Sequence, residues 1–192
     1  DNSSEDISRL EGYLFPDTYD FYINEKPANA LGRLIKNFNS KLDDDLLDKA
    51  EERGYYLKDI ITIASLIEKE TDGTDQTKIA SVIYNRLEGP GDKQGTYGML
   101  QIDASLLYAL PDNEGSITEA DKQTDSPYNL YKYAGLPPTP IANPGLASIQ
   151  AALEPDNTNY YYYALGKDGV HHFFTNYADH LAFVKSSDYA GN

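Results

Sequence analysis

Glu68 and Glu70 stand two positions apart at the end of a strongly apolar stretch, Leu57–Thr71. Its Ile60, Ile63, Ala64 and Ile67 recur at i, i+3, i+4 and i+7, one face of an α-helix, and Asp59 is the predicted N-cap. A carboxyl group at the end of such a helix sits half in the core, where its charged form is disfavoured. It then keeps its proton near neutral pH and becomes a general acid. Helical geometry puts the two glutamates on opposite flanks of the apolar stripe and does not choose between them. The plainer alternative is that both are ordinary flank residues. Asp103, following the polar Gln101 at strand-like spacing, is the candidate for a second carboxylate. Such chemistry suits glycan cleavage. One acid protonates the glycosidic oxygen, and a hydrolase adds a second carboxylate to deliver water or trap the sugar. One acid is enough when a hydroxyl of the sugar itself makes the internal attack.

Other chemistries fall away. There are no cysteines, so thiol nucleophiles, disulfides and zinc thiolates are excluded. No glycine-rich phosphate loop follows a strand, and no Gly-x-Ser-x-Gly elbow occurs. His171 and His172 are adjacent on a predicted strand and point to opposite faces, so they do not share a metal ion. Neither a metal site nor a cofactor is expected. With 16 basic against 31 acidic residues the net charge is −15, which argues against nucleic acid or an anionic membrane as the main partner. A neutral polymer remains compatible. Seventeen tyrosines and no tryptophan would suit stacking on sugar rings, although most read as half-buried strand residues.

The elements that must position these residues can be taken in chain order. Residues 1–9 are polar and read as a frayed or cut start, and residues 10–192 as a single domain. Leu10–Tyr22 is aromatic, broken by Gly12 and Pro16, and predicts a strand, a turn and an extended segment. Asn29 is the predicted cap of a helix through Leu42, and Asp43–Asp45 start another that Gly54 ends. The helix over 57–71 and a second over Thr77–Leu87 should pack as an antiparallel pair. Residues 89–95 read as a mobile loop, and a helix follows Asp103. Gly135–Gly145 is too proline-rich for regular structure and suits a rigid wall. Leu146–Leu153 is a short helix. Gly166-Lys-Asp-Gly169 joins two aromatic strands in a β-hairpin, and Asn176 caps a last helix. The fold class is α+β: helices dominate, with a small antiparallel sheet that could also take in the N-terminal aromatic strand.

Several stretches then come in a characteristic order: Leu10-Glu-Gly-Tyr-Leu-Phe-Pro-Asp-Thr-Tyr19, Ala64-Ser-Leu-Ile-Glu-Lys-Glu-Thr71, Ser81-Val-Ile-Tyr-Asn-Arg-Leu87 and Leu100-Gln-Ile-Asp103. Ser126-Pro-Tyr-Asn-Leu-Tyr131, Gly135–Gly145 and Gly169-x-His171 follow. Together they closely resemble the endolytic murein transglycosylase (YceG-like) family, from about residue 10 to residue 184. The resemblance implies a helix-rich, lysozyme-like catalytic core. It implies a lyase that cuts nascent peptidoglycan strands inside the chain and leaves 1,6-anhydro-N-acetylmuramoyl ends, terminating glycan chains. It favours Glu70, followed by the small hydroxyl residue Thr71, as the one catalytic acid and base, and leaves Glu68 a supporting carboxylate. Gln101, Asp103, Tyr128, Asn129 and His171 match motif positions expected around the sugar. Asn85 and Arg86 are expected to tie their helix to the core helix, and Tyr13 and Phe15 to be core. The family implies peptidoglycan synthases (penicillin-binding proteins) as partners and the extracytoplasmic face of the cell membrane as the location. Its usual N-terminal membrane anchor and LysM-like region have no counterpart in this sequence. The chain departs from the family at Asp103-Ala-Ser105, where Asp-Pro-Thr is usual, at Met99 beside Leu100, and in a long 89–98 loop. The competing readings are a lysozyme-like hydrolase and a non-catalytic glycan-binding scaffold.

Overall fold

The computed structural model describes residues 10–42, 44–71, 73–89, 95–113 and 116–191. The expected frayed start at 1–9, Asp43 and the centre of the expected mobile loop, 90–94, lie outside the described residues. Among those described, six α-helices precede one hairpin and a seventh follows it. They are α1 (Pro27–Lys41), α2 (Asp44–Glu52), α3 (Leu57–Glu70), α4 (Gln76–Glu88), α5 (Asp103–Tyr108), α6 (Leu146–Leu153) and α7 (Tyr177–Val184), with a 3-10 turn at Asp121–Gln123. Strands β1 (Tyr162–Leu165) and β2 (His171–Phe174) form a two-stranded antiparallel sheet. The α+β expectation holds. No helix among the described residues is long and apolar enough to cross a membrane.

The core is built around α3. Every residue from Ile60 to Ile67 is buried, which is more than one apolar stripe supplies, because α3 is covered on several sides by α4, α5 and α6. Thr62 and Ser65 survive there by donating their hydroxyls to the carbonyls of Lys58 and Thr62, at 2.8 and 2.7 Å. Tyr56, not Asp59, occupies the cap position; Asp59 sits a turn later, and its carboxylate accepts the Tyr56 N–H at 3.2 Å. Helix α1 likewise starts before Asn29, since Pro27 brings a φ already suited to the first helical position.

The expected N-terminal strand is absent. Residues 10–14 form turns instead, and Gly12 adopts φ +91. The Gly12 and Leu14 amides both donate to Asn143 Oδ1, at 2.8 and 3.1 Å. These N–H groups are spent on the proline-rich wall and are not available to a sheet. Phe15 is buried and Tyr13 packs edge-on against Phe38 at 5.3 Å, so both belong to the core as expected.

In the hairpin Tyr163 pairs with Phe173 and Leu165 with His171. Alternation puts these four on one face and Tyr162, Ala164, His172 and Phe174 on the other. The second face carries α7, where His172 stacks on Phe183 at 4.5 Å and Tyr162 on His180 at 5.2 Å. Asn176 caps α7 as expected, its side chain accepting the Asp179 N–H at 2.9 Å. The first face is thereby left to meet the end of α3.

Candidate active site

Where α3 leaves the core its last residues separate. Glu68 Oε2 accepts the Ser148 hydroxyl at 2.6 Å and the Gly145 N–H at 3.1 Å, which ties α3 to the start of α6. Glu70 turns to the hairpin and accepts the Tyr163 hydroxyl at 2.6 Å. Burial pushes the Glu70 carboxyl above its ordinary value, and the negative charge of Asp103 adds to this; the Tyr163 hydrogen bond and the charges of His171 and Arg86 only partly oppose it. Burial, followed by Glu70 itself, also drives the Tyr163 phenol well up, so the phenol stays a donor.

Thr71 ends the helix. Its hydroxyl donates to Asp75 Oδ1 at 2.7 Å, and Asp75 Oδ2 meets His171 Nδ1 at 2.6 Å. Burial alone would raise the Asp75 carboxyl, but the hydrogen bonds from Thr71 and His171 outweigh it and hold the group below the usual range. His171 in turn stands edge-on to the Tyr163 ring at 5.6 Å.

Glu70, Tyr163 and His171 line a cleft of about 750 Å³ with Arg86, Gln101, Asp103 and Tyr131. Asp103 opens α5 and accepts the Tyr131 hydroxyl. Gln101 holds a left-handed backbone, φ +52, uncommon for a residue with a side chain, and its N–H donates to the Leu130 carbonyl at 3.0 Å. A second hollow of about 450 Å³, lined by Lys69, Ala104, Tyr108 and Ile141, shares Glu70 and Asp103 with the first. The two carboxyl groups thus line both spaces.

Two expected contacts need correction. Tyr128 borders neither hollow; its hydroxyl bonds Thr139 Oγ1 at 2.7 Å and its ring lies 5.0 Å from that of Tyr108. Asn129 is 0% exposed, its amide donating to the Lys122 and Thr124 carbonyls and accepting the Tyr131 N–H. A side chain so enclosed is out of reach of a sugar. It holds the turn that presents Tyr131. Asn85 and Arg86 make their hydrogen bonds away from the core helix. Asn85 donates to the Thr158 and Tyr160 carbonyls, each at 2.9 Å, and Arg86 to those of Tyr161 and Leu100. The buried Arg86 guanidinium lies 5.2 Å over the Tyr162 ring, at the wall of the cleft.

Residues that sequence reasoning missed are Tyr163, Tyr131 and Asp75. The hairpin's glycines pointed to the turn but not to the register: the strands are joined by five residues, Gly166–Val170, and only with Leu165 opposite His171 do Tyr163 and His171 share a face. His171 and His172 do diverge, to Asp75 and to Asp168. Among the described residues no group of three or more His, Cys, Asp or Glu could hold a metal ion.

A helix-rich α+β domain with one buried carboxylic acid set in an open cleft is the class that fold and site define. Residues 1–186 match the YceG-like family, and the chain belongs to it. It is 40% identical over 162 residues to the endolytic murein transglycosylase of Bacillus subtilis strain 168, covering 83% of this chain and 43% of that protein. It is 34% identical over 182 residues to the endolytic murein transglycosylase of Streptococcus pneumoniae strain R6, covering 90% and 31%. The crystal structure of a yceG-like protein from Listeria monocytogenes superimposes with a TM-score of 0.80 at 36% identity, covering 91% of this chain and 55% of that one. The chain therefore spans less than half the length of these two curated relatives.

Proposed function

We propose that this domain is a lytic transglycosylase that cleaves peptidoglycan glycan strands internally and ends them in 1,6-anhydro-N-acetylmuramic acid. The observation that carries the reading is Glu70: a carboxyl pushed above its ordinary value by burial, oriented by Tyr163, and lining two hollows. Glu70 protonates the oxygen bridging N-acetylmuramic acid to N-acetylglucosamine, and the bond from that oxygen to C1 of the muramoyl residue breaks. The muramoyl C6 hydroxyl closes on C1 as its proton passes to the Glu70 carboxylate. The acid is restored and no water is consumed. The relatives named endolytic murein transglycosylases support the same substrate and an internal cut. Such a reaction belongs on the extracytoplasmic side of the cell membrane, beside the penicillin-binding proteins that make the strands, where it would terminate glycan chains.

Asp103 keeps one second reading open, because it lines both hollows together with Glu70, as the second carboxylate of a hydrolase would. Mass spectrometry of nascent, uncrosslinked strands separates the two. The test uses the domain, Glu70→Gln and Glu68→Gln. Anhydro ends that vanish in Glu70→Gln and persist in Glu68→Gln are expected. Reducing ends would point to a hydrolase using Asp103. Strands bound but uncut by every form would replace catalysis with a scaffold role.

A further inference from the structure

Asp75 is the N-cap of α4, yet its carboxylate makes no hydrogen bond to the first turn of that helix. Aspartate at this position ordinarily contributes about 1 kcal/mol by capping. Here both of its oxygens are engaged elsewhere. Oδ1 accepts the Thr71 hydroxyl at 2.7 Å and Oδ2 faces His171 Nδ1 at 2.6 Å. Thr71 is itself fixed, its Oγ1 accepting the Gly73 N–H at 3.0 Å. The groups around the imidazole are Asp75 from the start of α4, Glu70 from the end of α3, and Tyr163 and Phe173 from the hairpin. Lys78 stands over the outer side of this group, 5.8 Å from the Phe173 ring.

We infer that Asp75 is a positioning residue for glycan binding: it locks His171 in the tautomer with the proton on Nδ1, leaving Nε2 as a hydrogen-bond acceptor for a sugar hydroxyl in the cleft. An acceptor-only carboxylate 2.6 Å away demands a proton on the nitrogen that faces it. An imidazole that carries this one proton keeps its lone pair on Nε2. His171 lines the same cleft as Glu70. Hydroxyl donors are the recurrent groups of a glycan, and a fixed acceptor sets the register of the sugar against the acid. The same loop, Thr71 to Asp75, thus connects the residue after the acid to the residue that orients the substrate. The inference rests on the cleft being the glycan site and leaves both halves of the proton transfer with Glu70.

The test is ¹⁵N NMR of the imidazole side chains, with His172 as an internal reference, followed by kinetics. In the parent domain His171 should be protonated at Nδ1 and bare at Nε2. A tetrasaccharide of alternating N-acetylglucosamine and N-acetylmuramic acid, added to Glu70→Gln to prevent turnover, should shift Nε2 without changing the tautomer. Asp75→Asn should let the proton move to Nε2 and raise KM for glycan strands about tenfold, with kcat changed little, the pattern of a contact made equally in ground and transition states. His171→Gln, which keeps an acceptor, should retain more affinity than His171→Phe. A parent His171 protonated at Nε2, or an Nε2 resonance indifferent to the sugar, overturns the inference. So does an Asp75→Asn protein that melts lower but binds as the parent does, which would make the pair a staple of hairpin to helix. The tautomer and the titration are read without turnover, so they stand apart from whether the strands are cut to anhydro ends.

Discussion

Glu70 is placed at a cost to the fold. Its carboxyl is held above the 4.5 it has in an open chain, chiefly by burial, so the folded protein binds this proton more tightly than the unfolded chain does. The sign of the linkage follows. Below pH 4 the residue is protonated in both states and its contribution is neutral. As the pH rises past the open-chain value the unfolded state ionises first, and stability is lost until the folded value is passed. Glu70→Gln removes that loss and keeps a carbonyl oxygen to accept the Tyr163 hydroxyl. The inactive variant should therefore melt above the parent at pH 7, and the difference should shrink toward pH 4. Melting curves at the two pH values check this; an equal or lower melting point at pH 7 would mean that burial of Glu70 carries no penalty. A gain in stability on losing the acid is the usual mark of a functional group held in an unfavourable setting.

At the scale of elements, what was legible in the sequence was local. Leu146–Leu153 coincides with α6 because its start follows a fixed proline-rich turn, and Asn176 announces α7 because its side chain completes a cap within three residues. The hairpin could be read from its glycines. The N-terminal aromatic run could not, because its amides are claimed by Asn143, which lies 131 positions from Gly12 in sequence. The same gap separates family motif from contact at Tyr128, Asn129 and Tyr131. All three belong to one short stretch, and only the three-dimensional turn decides that Tyr131 reaches Asp103 while Asn129 faces inward. Asn129→Ala would strand the Lys122 and Thr124 carbonyls and the Tyr131 N–H in a buried place. It should destabilise the domain by about 3 kcal/mol or more in chemical denaturation, given ~1–3 kcal/mol for each of the three groups left unsatisfied. A direct sugar contact would instead show as weaker binding at unchanged stability.

At the scale of the molecule, the two hollows matter more than any single lining residue. About 750 Å³ lies on the hairpin side of the Glu70–Asp103 pair and about 450 Å³ on the α5 side. A sugar chain cut at Glu70 has residues on both sides of the broken bond, and each filled space adds contacts that hold the reacting bond against the acid. The net charge of −15 does not draw a polymer in, and the Arg86 and Lys122 that line the larger space are matched there by Glu70 and Asp103. Affinity must then come from length. Defined strands of increasing length should show kcat/KM rising until both hollows are filled and then levelling. Products from long strands should be internal fragments from the first minutes of reaction, seen by chromatography of early time points. Filling the smaller hollow with Ala104→Phe should weaken long strands more than short ones, because only long strands extend past the acid on that side. A rate independent of length, or release of single disaccharides from one end, would show that the α5 side is not part of the path and that the cleft works from a strand terminus.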